Sequence, residues 1–83
     1  MYYIIMVTAY VLINCDMGSE EFVINDLKSI IGVKNVNGIF GAYDIIAEVQ
    51  TPTVDDLRET ITMKIRKISG ARSTLTLMAM GDQ

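Results

Sequence analysis

The chain begins with a long apolar run. From Tyr2 to Cys15 nearly every side chain is apolar, many of them β-branched or aromatic, and only Thr8 and Asn14 are polar. Side chains of a strand alternate between its two faces, so a run that is apolar on both faces predicts a central strand. The run is too short to span a bilayer, and it lacks the positive start and the cleavage site of a signal peptide.

The residues after Cys15 predict a helix. Asp16 to Gly18 interrupt the apolar run, and Ser19 followed by two glutamates places a capping hydroxyl and two acids where a helix N-terminus favours them. Apolar residues at helical spacing follow: Val23, Leu27 and Ile30, with Phe22 and Ile31 beside them. Gly32 is suited to end the helix in the left-handed conformation.

Two strands joined by a tight turn are predicted next, from Val33 to Phe40 and from Tyr43 to Val49. Two dipeptides suit the turn. Asn37-Gly38 is the stronger hairpin signal taken alone, whereas Gly41-Ala42, with glycine first as a type II′ turn requires, leaves strands of similar length. We prefer Gly41-Ala42, and Gly38 is then interpreted as a bulge or a point of close packing.

A second helix and a last strand complete the pattern. Thr53, with Asp56 three residues later, is a variant of the capping box and predicts the helix start. A single apolar stripe follows, formed by Val54, Leu57, Ile61, Ile65 and Ile68. Gly70 ends this helix. The strand from Arg72 to Met80 then alternates, with Thr74, Thr76, Met78 and Met80 on one face and Leu75, Leu77 and Ala79 on the other.

The predicted order is β-α-β-β-α-β, and it contains a repeat. Residues 27–34 resemble residues 65–72, and in both segments a helix ends in glycine and leads into a strand. Two βαβ halves predict an α+β, ferredoxin-like sandwich, a four-stranded antiparallel sheet with both helices on one face. The other face would expose Tyr10, Leu12, Ile46, Met78 and Met80, so we expect the protein to dimerise through its sheet.

Composition narrows the classes of function. The 83 residues suffice for one domain, taken as residues 1–83. One cysteine and no histidine exclude an intrachain disulfide and the usual zinc sites, and we expect neither a metal nor a cofactor. A net charge of −3 with seven Lys and Arg argues against direct binding to nucleic acid. We expect a cytoplasmic protein that does not bind membranes.

Several motifs in the second half carry a family resemblance. Gly41-Ala42-Tyr43-Asp44-Ile45-Ile46 is followed by Gly70-Ala71 and then by Thr74-Leu75-Thr76. This arrangement resembles the effector-binding (RAM) domain of the leucine-responsive/asparagine-responsive (Lrp/AsnC) regulators, over roughly residues 8 to 80. The resemblance implies the same sandwich, dimers formed through the sheets, further assembly into rings, and amino acids or related molecules bound between subunits.

The resemblance implies an effector site formed by Gly41, Ala42, Tyr43 and Asp44, together with Thr74 and Thr76. Asp44 would meet an ammonium group while the backbone at Gly41 approaches the ligand; alternatively, Asp44 only solvates the turn. The two threonines would offer hydroxyls to a carboxylate; alternatively, they form a half-exposed strand face. We expect Asp44 and Thr74 at opposite ends of the sheet, so a site that used both would be shared between subunits.

Two features depart from the family pattern. The usual members carry an N-terminal helix-turn-helix, and we predict none before the first strand. Ala42 stands where many members have a polar or acidic residue, which removes one side-chain contact to a ligand.

The sequence favours a non-catalytic regulatory domain that binds a small effector and acts in transcription regulation, through its own oligomerisation or with full-length Lrp/AsnC-type regulators. The first alternative is a small dimeric ferredoxin-like enzyme acting on a hydrophobic substrate, in whose cleft only Asp44 and Glu48 could serve as acid or base. The second alternative is an assembly module without a ligand.

Overall fold

Strands and helices follow one another in the predicted order. The computed structural model describes residues 6–80. Its elements are β1 (Val7–Cys15), α1 (Glu20–Lys28), β2 (Val33–Gly38), β3 (Ile45–Thr51), α2 (Val54–Glu59), which continues as a π-helix over Thr60–Ile65, and β4 (Ala71–Met78). The predicted first strand also included residues 2–5, which lie outside the described residues. Within residues 6–80, no helix is long and apolar enough to cross a membrane.

The four strands form one antiparallel sheet in the order β2-β3-β1-β4. On one side of β1, Ile13 lies opposite Ile45 of β3, and on the other side it lies opposite Thr74 of β4. Because β1 is antiparallel to both neighbours, β3 and β4 run in the same direction. This topology, with its two helices, is the predicted ferredoxin-like α+β fold.

One face of the sheet packs against the helices and forms the core. The buried apolar residues are Ala9, Val11, Ile13 and Cys15 from β1, Ile45, Ala47 and Val49 from β3, Val23 and Leu27 from α1, and Leu57, Ile61, Ile65 and Ile68 from the second helical segment. The stripe predicted for the second helix is confirmed except at Val54, which is exposed. Complete burial of one such aliphatic side chain stabilises the fold by about 1.5–3 kcal/mol. Burial of every second residue therefore determines which face of each strand packs against the helices.

The opposite face of the sheet, called the open face below, is also apolar. Residues directly opposite each other on antiparallel strands share a face, and β4 places Leu77 opposite Tyr10 and Leu75 opposite Leu12. The open face therefore carries Tyr10, Leu12, Ile46, Leu75 and Leu77.

The predicted position of Met78 on the open face is wrong. Met78 lies opposite the buried Ala9, so it belongs to the helix side together with Thr74 and Thr76. Met80 lies beyond the end of β4 and is exposed. A shift of one residue in register exchanges the two faces of a strand, and the alternation within β4 does not reveal its register.

The connection between β2 and β3 is wider than the predicted turn. The register of the two strands places the middle of the hairpin at Gly41-Ala42, as predicted. The alternative turn at Asn37-Gly38 is excluded, because both residues pair within the sheet. Residues 39–44 form a loop in place of the two-residue turn.

Gly38, predicted as a bulge or a point of close packing, pairs regularly with Ile45, and a Cβ added there would meet only the Asp44 carbonyl oxygen, at 4.0 Å, among the described residues. The bulge lies elsewhere in β2. Val33 pairs with Val49 and Asn35 with the adjacent Glu48, so β2 has one extra residue at Lys34. A bulge of this kind bends its strand and interrupts the ladder of hydrogen bonds.

The two helices begin with different caps. Ser19 makes no side-chain capping hydrogen bond with the described residues, contrary to the prediction, although its carbonyl accepts from the N–H of Val23 at 2.9 Å. The predicted cap of α2 is confirmed, since the Thr53 hydroxyl oxygen accepts from the N–H of Asp56 at 3.0 Å.

The second helix widens after Glu59. The N–H of Arg66 donates to the carbonyl of Ile61 at 2.9 Å, which is the i to i+5 bond of a π-helix. Segments of this kind frequently lie at functional sites, because the extra residue in the turn changes where the following side chains point. Here the segment leads directly into Arg66, which lies beside β4.

Candidate functional site

The loop of residues 39–44 lies at one end of the sheet, beside the end of β1. Gly41 and Ala42 are exposed, and Tyr43 and Asp44 are half-buried. Gly41 has a φ of +125°, which favours glycine. Apart from its neighbours in the chain, no atom of residues 6–80 lies within 4 Å of the Cβ that alanine would add there. The loop therefore presents bare backbone to any molecule that approaches Gly41.

Asp44 joins the loop to the end of β1. The backbone N–H of Cys15 donates to its carboxylate Oδ2 at 2.8 Å. The Asp44 carbonyl accepts from the N–H of Ile39 at 2.9 Å, and its own N–H donates to the carbonyl of Ile13 at 3.0 Å. The carboxylate is thus held at the end of β1 by a charge-assisted hydrogen bond, and its second oxygen retains acceptor capacity. The sequence does not reveal the bond to Cys15, because the donor is a backbone group 29 residues away.

Cys15 is a free cysteine buried next to this carboxylate. Burial raises the pKa of its thiol above the ordinary value of 9.0, and the carboxylates of Asp44, Glu20 and Asp16 raise it further. The thiol is therefore protonated at neutral pH, and a protonated thiol is a poor nucleophile.

Thr74 and Thr76 lie on the helix side of β4. Because Ile13 pairs with both Ile45 and Thr74, Asp44 and Thr74 lie at the same end of the sheet, two strand spacings or about 10 Å apart. The prediction of opposite ends is wrong, because β4 runs antiparallel to β1 only and parallel to β3. Asp44 nevertheless lines neither of the two depressions that contain Thr74 and Thr76, so the three side chains do not share one pocket.

A groove, called the β4 groove below, lies between the second helical segment and β4 and has a volume of about 280 Å³. Its apolar walls are Val54, Leu57, Ile61 and Met78, and its polar residues are Arg58, Thr62, Arg66 and Thr76. Thr74 lies in an adjoining depression with Arg66 and Arg72. The sequence singles out the threonines but not Arg66, because a cation near the end of a helix is already explained by the helix dipole.

A polar cluster interrupts the open face. Glu48 accepts hydrogen bonds from Asn35 Nδ2 at 2.7 Å and from Gln50 Nε2 at 3.4 Å, in a depression beside Tyr10. Glu48 and Asp44 thus both have hydrogen-bond partners within the chain. In the part of the chain that the structure describes, no group of three His, Cys, Asp or Glu side chains could hold a metal ion.

Comparison with known protein families assigns this chain to one family. The model of the Lrp/AsnC ligand binding domain matches residues 8–82. Because the match spans nearly all of the sequence, the chain belongs to the Lrp/AsnC ligand binding domain family. The resemblance based on the Gly41 to Asp44 loop and the Thr74-Leu75-Thr76 strand is confirmed.

Solved structures agree with this assignment. FFRP-DM1 is similar at 38% identity and a TM-score of 0.86, over 89% of this chain and 99% of its own. The hypothetical protein PHS023 from Pyrococcus horikoshii is similar at 37% identity and a TM-score of 0.85, over 92% of each chain. A search of curated proteins finds no match.

A more distant structure shares the fold. It is the complex of the transcriptional regulator NMB0573 from Neisseria meningitidis with L-Met, at a TM-score of 0.83 and 8% identity. The match covers 92% of this chain and 51% of the regulator.

Proposed function

We propose that this chain is a non-catalytic regulatory module that binds an amino acid or a related small effector between subunits. Its membership of the Lrp/AsnC ligand binding domain family over residues 8–82 carries the proposal. The complex of a fold relative, a transcriptional regulator, with L-Met supports both the amino acid class and a role in transcription regulation. The module would act through its own oligomerisation or by joining full-length Lrp/AsnC-type regulators.

The open face supports a site between subunits. An antiparallel sheet can leave one face to solvent, but such a face is normally polar. Here the face carries Tyr10, Leu12, Ile46, Leu75 and Leu77. A second copy of the chain would remove this apolar surface from water, and it would bring a second subunit near the end of the sheet where the loop of residues 39–44 lies.

The loop supplies the chemistry for an ammonium group. Asp44 uses one carboxylate oxygen for the N–H of Cys15 and can accept from an ammonium with the other. The exposed backbone at Gly41 allows close approach, and Ala42 adds no polar group of its own. The carboxylate of an amino acid would therefore need donors from the loop backbone or from the neighbouring subunit.

A screen of amino acids by thermal shift, followed by calorimetric titration, tests this proposal. At least one amino acid should raise the melting temperature, because a ligand that binds the native state stabilises it. Asp44→Asn keeps an oxygen for the Cys15 N–H but loses the charge, so it should weaken binding of that amino acid by at least about tenfold.

Glu59→Gln is the matched control, since Glu59 is exposed on α2 and the substitution also removes one negative charge. Binding by this variant should equal that of the wild type. If Asp44→Asn also binds as tightly as the wild type, Asp44 does not hold the ammonium group. If no amino acid binds, the effector class is wrong and a role in assembly alone replaces it.

A further inference from the structure

The β4 groove differs in chemistry from the loop of residues 39–44. It lies on the helix side of the sheet, and Asp44 is not among the residues that line it. Two arginines line it, and none of its lining residues is acidic. One wall, formed by Leu57, Ile61 and Met78, is apolar. The groove therefore combines cationic side chains with an apolar surface.

Arg66 is available to bind an anion. Within residues 6–80 there is a single ion pair, between Arg58 Nη1 and Asp55 Oδ1 at 3.6 Å. Arg66 therefore has no acidic partner among the described residues. The π-helix places Arg66 where it lines both the β4 groove and the adjoining depression beside Thr74. A guanidinium in this position can hold a carboxylate through two parallel hydrogen bonds.

Thr76 has a hydroxyl without a partner. Its Oγ1 is shielded from solvent and makes no hydrogen bond to the described residues. A buried polar atom that stays unpaired destabilises the fold, and native structures rarely keep one without a reason. Rotation about χ1 to another staggered position would move the hydroxyl, and both common rotamers are open to a strand residue. An oxygen atom of a ligand in the groove would give this hydroxyl its missing partner.

We propose that the β4 groove binds a small apolar carboxylic acid that lacks an ammonium group. Arg66 would hold the carboxylate, the Thr76 hydroxyl would donate to one of its oxygens, and the hydrocarbon tail would pack against Leu57 and Ile61. The volume of about 280 Å³ is at the small end of ligand pockets, which suits an acid with a short chain. Without an acidic residue in the lining, an ammonium group would be desolvated there without compensation. This site is separate from the amino acid site proposed at Asp44.

Three molecules with the same six-carbon skeleton test the class of ligand by calorimetric titration of the full chain. Hexanoate carries only the carboxylate, hexanamide replaces the carboxylate with a neutral group, and norleucine adds the ammonium. Hexanoate should bind the wild type at least about tenfold more tightly than hexanamide does, and it should bind Asp44→Asn, in which the loop site is weakened, at least about tenfold more tightly than norleucine does. Equal binding of hexanamide would show that no cation holds the ligand, and equal binding of norleucine to this groove would overturn the proposed exclusion of ammonium groups.

Variants locate the site. Arg66→Gln should weaken hexanoate binding by about tenfold or more, whereas Lys67→Gln removes the same charge from the next residue, which does not line the groove, and should leave binding unchanged. Thr76→Val should weaken binding without lowering the melting temperature, because valine has the same shape and leaves no unpaired hydroxyl. If hexanoate does not bind, or binds Arg66→Gln as tightly as the wild type, the proposal is wrong.

The two proposed sites can fail independently. Asp44→Asn should leave hexanoate binding unchanged, since Asp44 lines neither the groove nor the adjoining depression. A loss of hexanoate binding in Asp44→Asn would mean that the acid binds at the loop and would overturn the assignment to the β4 groove. The amino acid screen remains a separate test of the loop.

Discussion

Asp44 is a structural residue as well as a candidate ligand-binding residue. Its carboxylate accepts from the N–H of Cys15, which would otherwise be partly buried without a partner at the end of β1. Asp44→Ala removes this acceptor and should lower the free energy of unfolding by about 1–3 kcal/mol, whereas Asp44→Asn retains an oxygen and should lose less. Chemical denaturation at one fixed protein concentration measures both. Equal stability of the alanine variant and the wild type would contradict this role.

Cys15 predicts a dependence of stability on pH. Burial and the nearby carboxylates raise the pKa of its thiol in the folded state above 9.0. At a pH between the pKa of the unfolded chain and the higher pKa of the folded chain, the unfolded chain has lost the thiol proton and the folded chain keeps it. The folded state then binds more protons, so stability falls as pH rises. The contribution of the protonated thiol to stability is complete at pH values below the ordinary pKa, and it is lost as pH rises through the folded-state pKa.

The comparison of wild type with Cys15→Ala isolates this contribution from other groups that titrate at alkaline pH. As pH rises from about 8 to about 10, the unfolding free energy of the wild type should fall relative to that of Cys15→Ala. A difference that stays constant over this range would show that the thiol has the same pKa in both states.

At the level of elements, the junction that leads into β4 is tightly packed. Gly70 has a φ of +94°, and a Cβ added there would lie 2.8 Å from the Cβ of Ser19 and 3.3 Å from Cγ2 of Val23. Gly70→Ala should therefore lower stability by about 2–4 kcal/mol, from backbone strain and overpacking together.

Gly18→Ala is the matched control for this effect. Gly18 has a similar φ of +82°, but apart from its neighbours no atom within residues 6–80 lies within 4 Å of the added Cβ. Only the strain remains, so the loss should be about 1–2 kcal/mol. If both variants lose the same amount in denaturation experiments, the contact between the start of α1 and the start of β4 is not tight.

The elements could be predicted from the sequence because their signals are local. Apolar spacing and a capping residue define the helices, and the alternation of burial in β3 follows from the pattern of side chains. The register of β4 depends on pairing with β1, and the width of the loop between β2 and β3 depends on Asp44 binding to β1. Such long-range contacts leave no periodic signal in a single sequence.

For the whole molecule, the open face predicts association. Leu77 and Met78 are neighbours in β4, and each has 49% of its side chain exposed, but Leu77 belongs to the open face and Met78 to the helix side. Light scattering of the wild type should give a mass of at least twice 9.2 kDa. Leu77→Lys should lower this mass towards 9.2 kDa, because it places a charge in the buried interface.

Met78→Lys is the control, with the same change one residue away. It should keep the mass of the wild type, because its side chain does not meet the interface. A wild type that is monomeric, or a Met78→Lys variant that dissociates while Leu77→Lys does not, would contradict association through the open face.

The candidate site could be predicted only in part for a similar reason. The residues of the Gly41 to Asp44 loop are contiguous, so a motif reveals them. The β4 groove combines Arg66 with Thr76, which come together where the second helical segment packs beside β4. Neither residue type is unusual in its own element, so the pair has no sequence signature.

The bulge at Lys34 also limits how the chain can aggregate. The outermost strands of the sheet are β2 and β4, and a free strand edge can recruit further strands from other molecules without end. The bulge and the lysine make β2 a poor template, so among the strands of residues 6–80 only the edge of β4 is receptive. Growth into a fibre by strand addition needs two receptive edges on every molecule. A chain with one such edge can add a single neighbour in this way, and the polymer ends there.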